Sequence, residues 1–182
     1  MTKSILLVGV GGQGTILASK LLTLGLMEAG YDVKMSEIHG MSQRGGNVSS
    51  EIRFGDKVYS PVIEKGDASL LVSLEQMEAA RNIGYLKKDG ILIVNDYKIH
   101  SMVTLNGKVR YPENIIEELS SKVKTFKVDG TKKAIELGLD KVMNIIILGA
   151  LSKALKIDGL KWEDAIKANV KPKFLDLNLK AF

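Results

Sequence analysis

Residues 4–22 read SILLVGVGGQGTILASKLL, and this stretch decides the fold. Its first part, residues 4–10, is almost continuously apolar, which is typical of a strand buried on both faces of a parallel sheet. Gly9, Gly11 and Gly14 follow the spacing G-x-G-x-x-G, in which glycines allow a tight turn and a close approach of helix and strand. The stretch therefore predicts a strand, a glycine turn and a helix in succession.

The segments that follow extend this beginning into one layered domain. The helix is expected over residues 13–29, Gly30 ends it, and residues 31–38 predict a second strand. Two further apolar runs predict sheet strands over residues 68–74 and 90–96, and residues 123–129 are expected to form the last strand. Because strands alternate with helices, the sequence predicts an α/β fold, namely a three-layer α/β/α Rossmann-like sandwich, with residues 1–182 as a single domain.

Hairpins are expected as additions to a mostly parallel sheet. Apolar and polar residues alternate on both sides of residues 55–56, Gly-Asp, which predicts a β-hairpin, and residues 106–107, Asn-Gly, predict a second one. A long apolar helix is expected near residues 142–155. The tail, residues 171–182, is expected either to pack onto its own chain late in folding or to lie on a partner.

Composition excludes several classes of site. The chain has no cysteine and two histidines, so it can form no disulfide, thiolate nucleophile or iron–sulfur cluster, and no metal site built on several histidines. The net charge of +5 is scattered and aromatic residues make up 5%, which argues against nucleic-acid binding. No apolar stretch is long enough to span a membrane, and a cytoplasmic location is expected.

The glycine turn is the first candidate site. The N–H groups of the first helical turn, together with the helix dipole, favour an anion such as a phosphate. Glu37 at the end of the second strand lies near the offset at which a dinucleotide ribose would need an acid. Packing alone would explain the same glycines, so both interpretations stay open. The candidate cofactor-binding residues are Gly9, Gly11, Gly12, Gln13 and Gly14.

The loop over residues 38–47, IHGMSQRGGN, is the second candidate site. Arg44 offers a planar fork of donors suited to a carboxylate or a phosphate, and the two glycines after it allow a close backbone approach. An ordinary surface loop, with Arg44 paired to Glu37 or Glu51, is the alternative. Asn144 is expected either to bond a neighbouring loop or simply to lie in the core. The candidate residues for contact with substrate, coenzyme A or a subunit are His39, Ser42, Gln43, Arg44, Gly45, Gly46 and Asn144.

Three motifs in the same order resemble a known family. GVGGQGTILASKLL, SEIHGMSQRGG and MNIIILGAL, together with the closing segment FLDLNLKAF, resemble the gamma-type subunits of 2-oxoacid:ferredoxin oxidoreductases. The form of the second motif is most similar to the beta subunits of the indolepyruvate-specific members. The resemblance implies oxidative decarboxylation: an aryl 2-oxoacid, coenzyme A and oxidised ferredoxin give an aryl-acetyl-CoA, carbon dioxide and reduced ferredoxin.

The resemblance also implies how the work is divided between subunits. Thiamine diphosphate, magnesium and iron–sulfur clusters are expected on a larger alpha subunit, and ferredoxin is expected to meet the complex rather than this chain. No cofactor is expected on this chain alone, and it is assigned no catalytic residue and no activity of its own. Its two candidate loops are expected to complete the mouth of the active site, facing either coenzyme A or the catalytic partner, with Arg44 near the 2-oxoacid carboxylate or coenzyme A.

Two interpretations from other classes stand beside this one. In the first, Glu37 binds a ribose, and the chain is a free-standing NAD(P)-binding oxidoreductase or a nucleotide-binding regulator. A basic nucleic-acid module would require polynucleotide binding with a steep dependence on salt, which no motif in the sequence asks for.

Overall fold

A single six-stranded sheet forms the centre of the molecule. The computed structural model describes residues 2–40, 45–157 and 159–182. The strands lie in the order β2-β3-β1-β4-β5-β6. Their bounds are β1 Lys3–Val10, β2 Asp32–His39, β3 Asn47–Gly55, β4 Ala68–Ser73, β5 Leu86–Asn95 and β6 Lys124–Val128.

The sheet is mixed, as the sequence predicts, and parallel pairing predominates. β1, β4, β5 and β6 pair in parallel, whereas β3 runs antiparallel to both of its neighbours, β1 and β2. The carboxyl ends of β1, β2, β4 and β5 therefore lie along one edge of the sheet, which we call the carboxyl edge. In open α/β sheets this is the edge where ligands bind.

Helices cover both faces of the sheet, so the predicted three-layer sandwich is confirmed. Ile5 and Leu7 of β1 face one helical layer, and Leu6 and Val8 face the other, because alternate residues of a strand point to opposite sides. α1, α5, α6, α7 and α8 form the first layer, and α2 and α4 form the second. The helix bounds are α1 Thr15–Glu28, α2 Gln76–Asn82, α3 Met102–Leu105, α4 Ile115–Ser120, α5 Gly130–Glu136, α6 Met143–Leu155, α7 Trp162–Asn169 and α8 Leu175–Ala181.

The first predicted hairpin is wrong in its position. The sequence before residues 55–56 forms β3, but residues 56–67, all of them described, form no returning strand. Side chains hold this stretch instead: Asp32 accepts a hydrogen bond from the Val58 N–H at 2.8 Å, and Glu51 accepts one from the Ile63 N–H at 3.0 Å. The partners of β3 are β1 and β2, so the antiparallel addition lies between the two strands predicted to be neighbours.

The second predicted hairpin, around residues 106–107, is also wrong. The chain forms the short helix α3 and then an irregular stretch. The Ser101 hydroxyl accepts a hydrogen bond from the Thr104 N–H at 3.4 Å and caps the helix. The chain here is a capped helical turn rather than two paired strands.

The apolar helix α6 and the tail are packed against each other. Gly149 of α6 lies so close to the end of the chain that a Cβ atom there would be 2.7 Å from the carbonyl oxygen of Phe182. Trp162 of α7 contacts the Phe182 ring, with 5.7 Å between the ring centroids. Of the two expectations for the tail, packing on its own chain is therefore the one observed.

Candidate functional site

Gln13 braces the glycine turn from within. Its side-chain oxygen accepts a hydrogen bond from the Val10 N–H at 2.8 Å, and its side-chain nitrogen donates to the Leu74 carbonyl oxygen at 2.9 Å. The turn is thereby tied to the end of β4 as well as to β1. Gln13 is one of the candidate cofactor-binding residues predicted from the sequence, but both ends of its side-chain amide form hydrogen bonds within the chain.

Two glycines of the turn have backbone conformations that favour glycine. Gly12 has a φ of +102° and nothing within 4 Å of a Cβ atom built there, so it lies open to solvent. Gly14 has a φ of +82° and is the N-cap of α1. A Cβ atom on Gly14 would lie 2.5 Å from the side-chain nitrogen of Asn144. At Gly9, which precedes them, a Cβ atom would lie 3.0 Å from the side-chain oxygen of Gln13.

Asn144 joins the start of α6 to the glycine turn. Its side-chain nitrogen donates a hydrogen bond to the Gly14 carbonyl oxygen at 3.0 Å, and the residue is buried. Of the two expectations for Asn144, the bond to a neighbouring loop is the one observed, and the residue is buried as well. The contact holds the start of α6 against the start of α1.

The two candidate loops contact each other. The Gly11 N–H donates to the Gly46 carbonyl oxygen at 2.8 Å, and the Gly45 N–H donates to the Gly11 carbonyl oxygen at 3.4 Å. The two loops, which the sequence predicts as separate candidate sites, therefore lie side by side. Ser42, Gln43 and Arg44 lie outside the described residues.

A cleft of about 490 Å³ opens between these loops at the carboxyl edge. It is lined by the glycine turn, by Thr15 at the start of α1, and by His39 and Val48 at the adjoining ends of β2 and β3. Thr15 is buried, and its hydroxyl has no hydrogen-bond partner among the described residues. The N-terminus of α1 borders this cleft, and the free N–H groups of a helix N-terminus are chemically suited to an anion.

Glu37 is poorly placed for a dinucleotide. β3 separates β2 from β1, so Glu37 lies two strands, about 10 Å, from β1 in the plane of the sheet. Its carboxylate accepts a hydrogen bond from the Ser19 hydroxyl at 3.2 Å and lies 3.7 Å from the His39 side chain. A dinucleotide acid is expected on the strand next to β1, so this geometry does not favour the NAD(P) interpretation.

Comparison with known proteins decides the family. Residues 4–182 match the model of the pyruvate ferredoxin/flavodoxin oxidoreductase family. The chain belongs to this family. Among its relatives is the indolepyruvate oxidoreductase subunit IorB of Pyrococcus horikoshii, to which the chain is 38% identical over 98% of its own length and 92% of the relative's.

Two solved structures of ferredoxin oxidoreductases share the fold. The gamma subunit of a keto/oxoacid ferredoxin oxidoreductase from Geobacter sulfurreducens superposes with a TM-score of 0.71 at 26% identity, over 98% of this chain and 93% of that one. A 2-oxoglutarate:ferredoxin oxidoreductase from Magnetococcus marinus, with 2-oxoglutarate, coenzyme A and succinyl-CoA bound, superposes at 0.77 and 18% identity. The chain covers 30% of that longer chain. The predicted resemblance to gamma-type subunits is confirmed, and the chain is an oxidoreductase subunit.

The residues of this family member do not fit the redox groups that the resemblance implies. An iron–sulfur cluster needs thiolate ligands, and the sequence has no cysteine. Within residues 2–40, 45–157 and 159–182, no three histidine or acidic side chains are grouped closely enough to hold a metal ion. We also find no helix in the described part of the chain that is long and apolar enough to cross a membrane.

Sequence reasoning missed a second polar cluster at the carboxyl edge. Glu75, which follows β4, is buried and accepts hydrogen bonds from the Glu78 N–H at 2.9 Å and the Ile99 N–H at 3.1 Å. The Tyr111 hydroxyl donates to the same carboxylate and accepts from the Met77 N–H at 3.0 Å. The position of Glu75 directly after a buried strand was the one available signal.

The electrostatics of this cluster follow from burial. Burial raises the pKa of the Glu78 carboxyl above its ordinary value, against the opposing effect of Arg81, whose guanidinium lies 2.7 Å away. Burial, reinforced by the carboxylate of Glu75, also raises the pKa of the Tyr111 hydroxyl. Tyr111 therefore stays a neutral donor to Glu75 at physiological pH. A second cleft, of about 620 Å³, lies against this cluster and also touches Gly45.

Proposed function

We propose that this chain is the small subunit of an indolepyruvate-type 2-oxoacid:ferredoxin oxidoreductase. In the proposed reaction an aryl 2-oxoacid loses carbon dioxide, its acyl carbon is oxidised and joins the sulfur of coenzyme A, and ferredoxin takes the electrons. Thiamine diphosphate, when bound, supplies the carbanion chemistry. A larger subunit would carry it, with magnesium and the clusters, and the small subunit would complete the region that receives coenzyme A.

One observation carries this proposal: a cysteine-free chain is similar to an IorB subunit over nearly its full length. A chain without thiolates cannot pass electrons to ferredoxin through a cluster of its own, so the redox groups must lie elsewhere. The family takes its name from pyruvate, so the assignment to indolepyruvate rests on the 38% identity to the IorB subunit.

The cleft beside the glycine turn is the proposed contact for coenzyme A. The open backbone at Gly12 and the N-terminus of α1 offer N–H donors to a phosphate group. Gly11, Gly45 and Gly46 supply the framework, through their mutual hydrogen bonds. Arg44 belongs to the same loop and is proposed to neutralise either a coenzyme A phosphate or the 2-oxoacid carboxylate.

Reconstitution tests the subunit assignment. The small subunit and the larger subunit encoded with it are purified separately and mixed, and reduction of ferredoxin is followed with indolepyruvate and coenzyme A. We expect activity only from the mixture, and no turnover from the small chain alone. A small chain that oxidises a 2-oxoacid by itself, or a larger subunit that is fully active without it, would contradict the proposal.

Nucleotide binding separates the proposal from the NAD(P) interpretation. A free-standing dehydrogenase would be stabilised by its dinucleotide, and its melting temperature would rise with ligand concentration. We expect the melting temperature of the isolated chain to be the same with and without NAD or NADP. A concentration-dependent rise would favour the dehydrogenase instead.

Arg44→Ala tests the role of the loop in the reconstituted complex. A charge-assisted contact contributes about 1.5–3 kcal/mol, so its loss should raise the KM for coenzyme A or for the 2-oxoacid by about one to two powers of ten. Lys132→Ala, an exposed position on α5, is the matched control that removes a charge elsewhere. Unchanged constants for both substrates and unchanged turnover would remove Arg44 from the site and leave the loop as a subunit contact.

A further inference from the structure

The segment of residues 97–110 carries an apolar surface that the described part of the chain leaves uncovered. Met102 and Leu105 of α3 are 69% and 64% exposed, and Val109 is 56% exposed. Soluble proteins expose single apolar side chains freely, but clusters of large ones usually mark an interaction surface. Three such residues within eight positions form a cluster of this kind.

Local hydrogen bonds give this surface a fixed shape. The Leu105 N–H donates to the Ser101 carbonyl oxygen at 2.9 Å, which closes the turn of α3. The Val109 N–H donates to the Val103 carbonyl oxygen at 3.4 Å, so the stretch after the helix folds back on it. The apolar side chains are thus presented by an ordered backbone.

A single buried carboxylate anchors both ends of the segment. Glu75, 1% exposed, accepts from the Ile99 N–H at 3.1 Å at the start and from the Tyr111 hydroxyl just beyond the end. A preformed surface loses less conformational entropy on binding than a flexible loop does. The anchoring therefore favours a docking surface over an unstructured connection.

The charge of the segment is one-sided. Residues 97–110 contain Lys98, Lys108 and Arg110 and no acidic residue, and all three cations are exposed. None of them forms an ion pair within the ranges that the structure describes. Lys98 also lies over the Tyr111 ring, with its side-chain nitrogen 5.6 Å from the ring centroid. An apolar patch bordered by cations that lack an ion-pair partner is complementary to an apolar patch bordered by carboxylates.

We infer that residues 97–110 are the docking surface for the larger subunit, which offers an apolar patch with an acidic border. This inference rests on the proposed function, because it takes its partner from there. The location supports it: the cleft of about 620 Å³ is lined by Met102 and also by Gly45, so the segment adjoins the candidate coenzyme A site. A partner seated here would bring its own active site to the same edge.

Leu105→Asp in the full chain tests the contact. Ile135→Asp is the matched control, because Ile135 is 62% exposed and lies on α5, outside the segment. Affinity for the purified larger subunit is measured by titration calorimetry, and the melting temperature of each variant verifies folding. We expect Leu105→Asp to weaken binding about tenfold or more, and Ile135→Asp to leave it within about twofold.

A charge reversal tests the border. Lys108→Glu combined with Arg110→Glu should weaken binding at low ionic strength and flatten its dependence on salt, whereas Lys132→Glu should do neither. Self-association of the isolated chain through the patch, abolished by Leu105→Asp, would overturn the inference in favour of a second copy as the occupant.

The outcomes also separate this inference from the proposed function. If the wild-type chain forms an active complex and Leu105→Asp binds as the wild type does, the docking surface is wrong and the proposed function stands. If the wild-type chain forms no complex with the larger subunit, both are wrong.

Discussion

The glycine turn and the 97–110 segment lie on the same edge of the sheet but are built in opposite ways. Around the turn, polar groups point inward: Gln13 bonds β1 and β4, and Asn144 bonds Gly14. The segment is fixed from below by Glu75 and presents apolar side chains such as Leu105 outward. The side chains of the first region form hydrogen bonds within the chain, whereas the apolar side chains of the second are exposed and free to contact a partner.

This difference indicates where mutations should act. A side chain engaged inside the fold affects stability, and an exposed one affects association. Changes at the glycine turn should therefore lower the free energy of unfolding of the isolated chain. Changes in the 97–110 segment should leave that free energy unchanged and appear only when the larger subunit is present.

Gly14→Ala should have the largest effect. A non-glycine residue at a φ of +82° costs about 1–2 kcal/mol, and the new Cβ atom would lie 2.5 Å from the Asn144 nitrogen and displace its buried bond. We expect the free energy of unfolding in urea to fall by about 3 kcal/mol. Gly12→Ala, at a φ of +102° but with open space around it, should cost only about 1–2 kcal/mol.

A double substitution identifies the source of that loss. In an Asn144→Ala background the clash is absent, so Gly14→Ala should cost no more than Gly12→Ala. Equal costs of Gly14→Ala in both backgrounds would show that backbone conformation alone is responsible, and that the close approach of α6 adds nothing.

Asn144→Leu should have a smaller effect, of about 1 kcal/mol. The Gly14 carbonyl oxygen also accepts from the Ala18 N–H at 3.1 Å, so it keeps one partner when the asparagine is removed. Urea unfolding measures the change, and binding to the larger subunit should stay within about twofold. A loss of affinity with unchanged stability would place Asn144 at the interface and break the comparison.

The pH dependence of stability tests the polar cluster that anchors the 97–110 segment, at Glu78. Burial raises the folded-state pKa of Glu78 above its ordinary value of 4.5, so the native state holds the proton more tightly than the unfolded chain does. The contribution of this group to stability is therefore fully present below pH 4.5 and is lost as the pH rises through the folded-state pKa. In the Glu78→Gln variant this position does not titrate. The free energy of unfolding of the wild type, relative to that of the variant, should therefore fall as the pH rises through this window.

Urea unfolding of both chains at several pH values from 4 upward measures this slope. A difference that stays constant with pH would mean that the Arg81 guanidinium, 2.7 Å away, compensates the burial in full.

Local patterns in the sequence predicted the first of the two regions well. An apolar run and the glycine spacing within residues 4–28 predicted β1, the glycine turn and α1. The apolar stretch of α6 was predicted from its composition in the same way. The contact of Asn144 was named as one of two expectations because an asparagine in an apolar helix needs a hydrogen-bond partner. These inferences succeed because neighbours in sequence determine them.

The second region was predicted wrongly because its structure depends on distant residues. Alternating apolar residues around Asn106 indicate a hairpin, but alternation expresses burial on one side of a strand, and here the apolar side chains are exposed. Glu75 and Tyr111 are 36 positions apart, so no periodic pattern in the sequence indicates that they form a hydrogen bond. The position of β3 between β1 and β2 likewise depends on pairing between residues that are distant in sequence.

The smallest expected effect is the most informative about the 97–110 segment. Met102→Ser combined with Leu105→Ser removes apolar surface that is already 69% and 64% exposed, so the free energy of unfolding should change by less than about 0.5 kcal/mol. Leu21→Ser, at a fully buried position of α1, is the contrasting variant and should cost several kcal/mol, about 2–5. Urea unfolding of the isolated chain compares them. If the double variant were also strongly destabilised, the segment would be packed in the isolated chain and its apolar residues would serve the fold, so the contrast between the two regions would disappear.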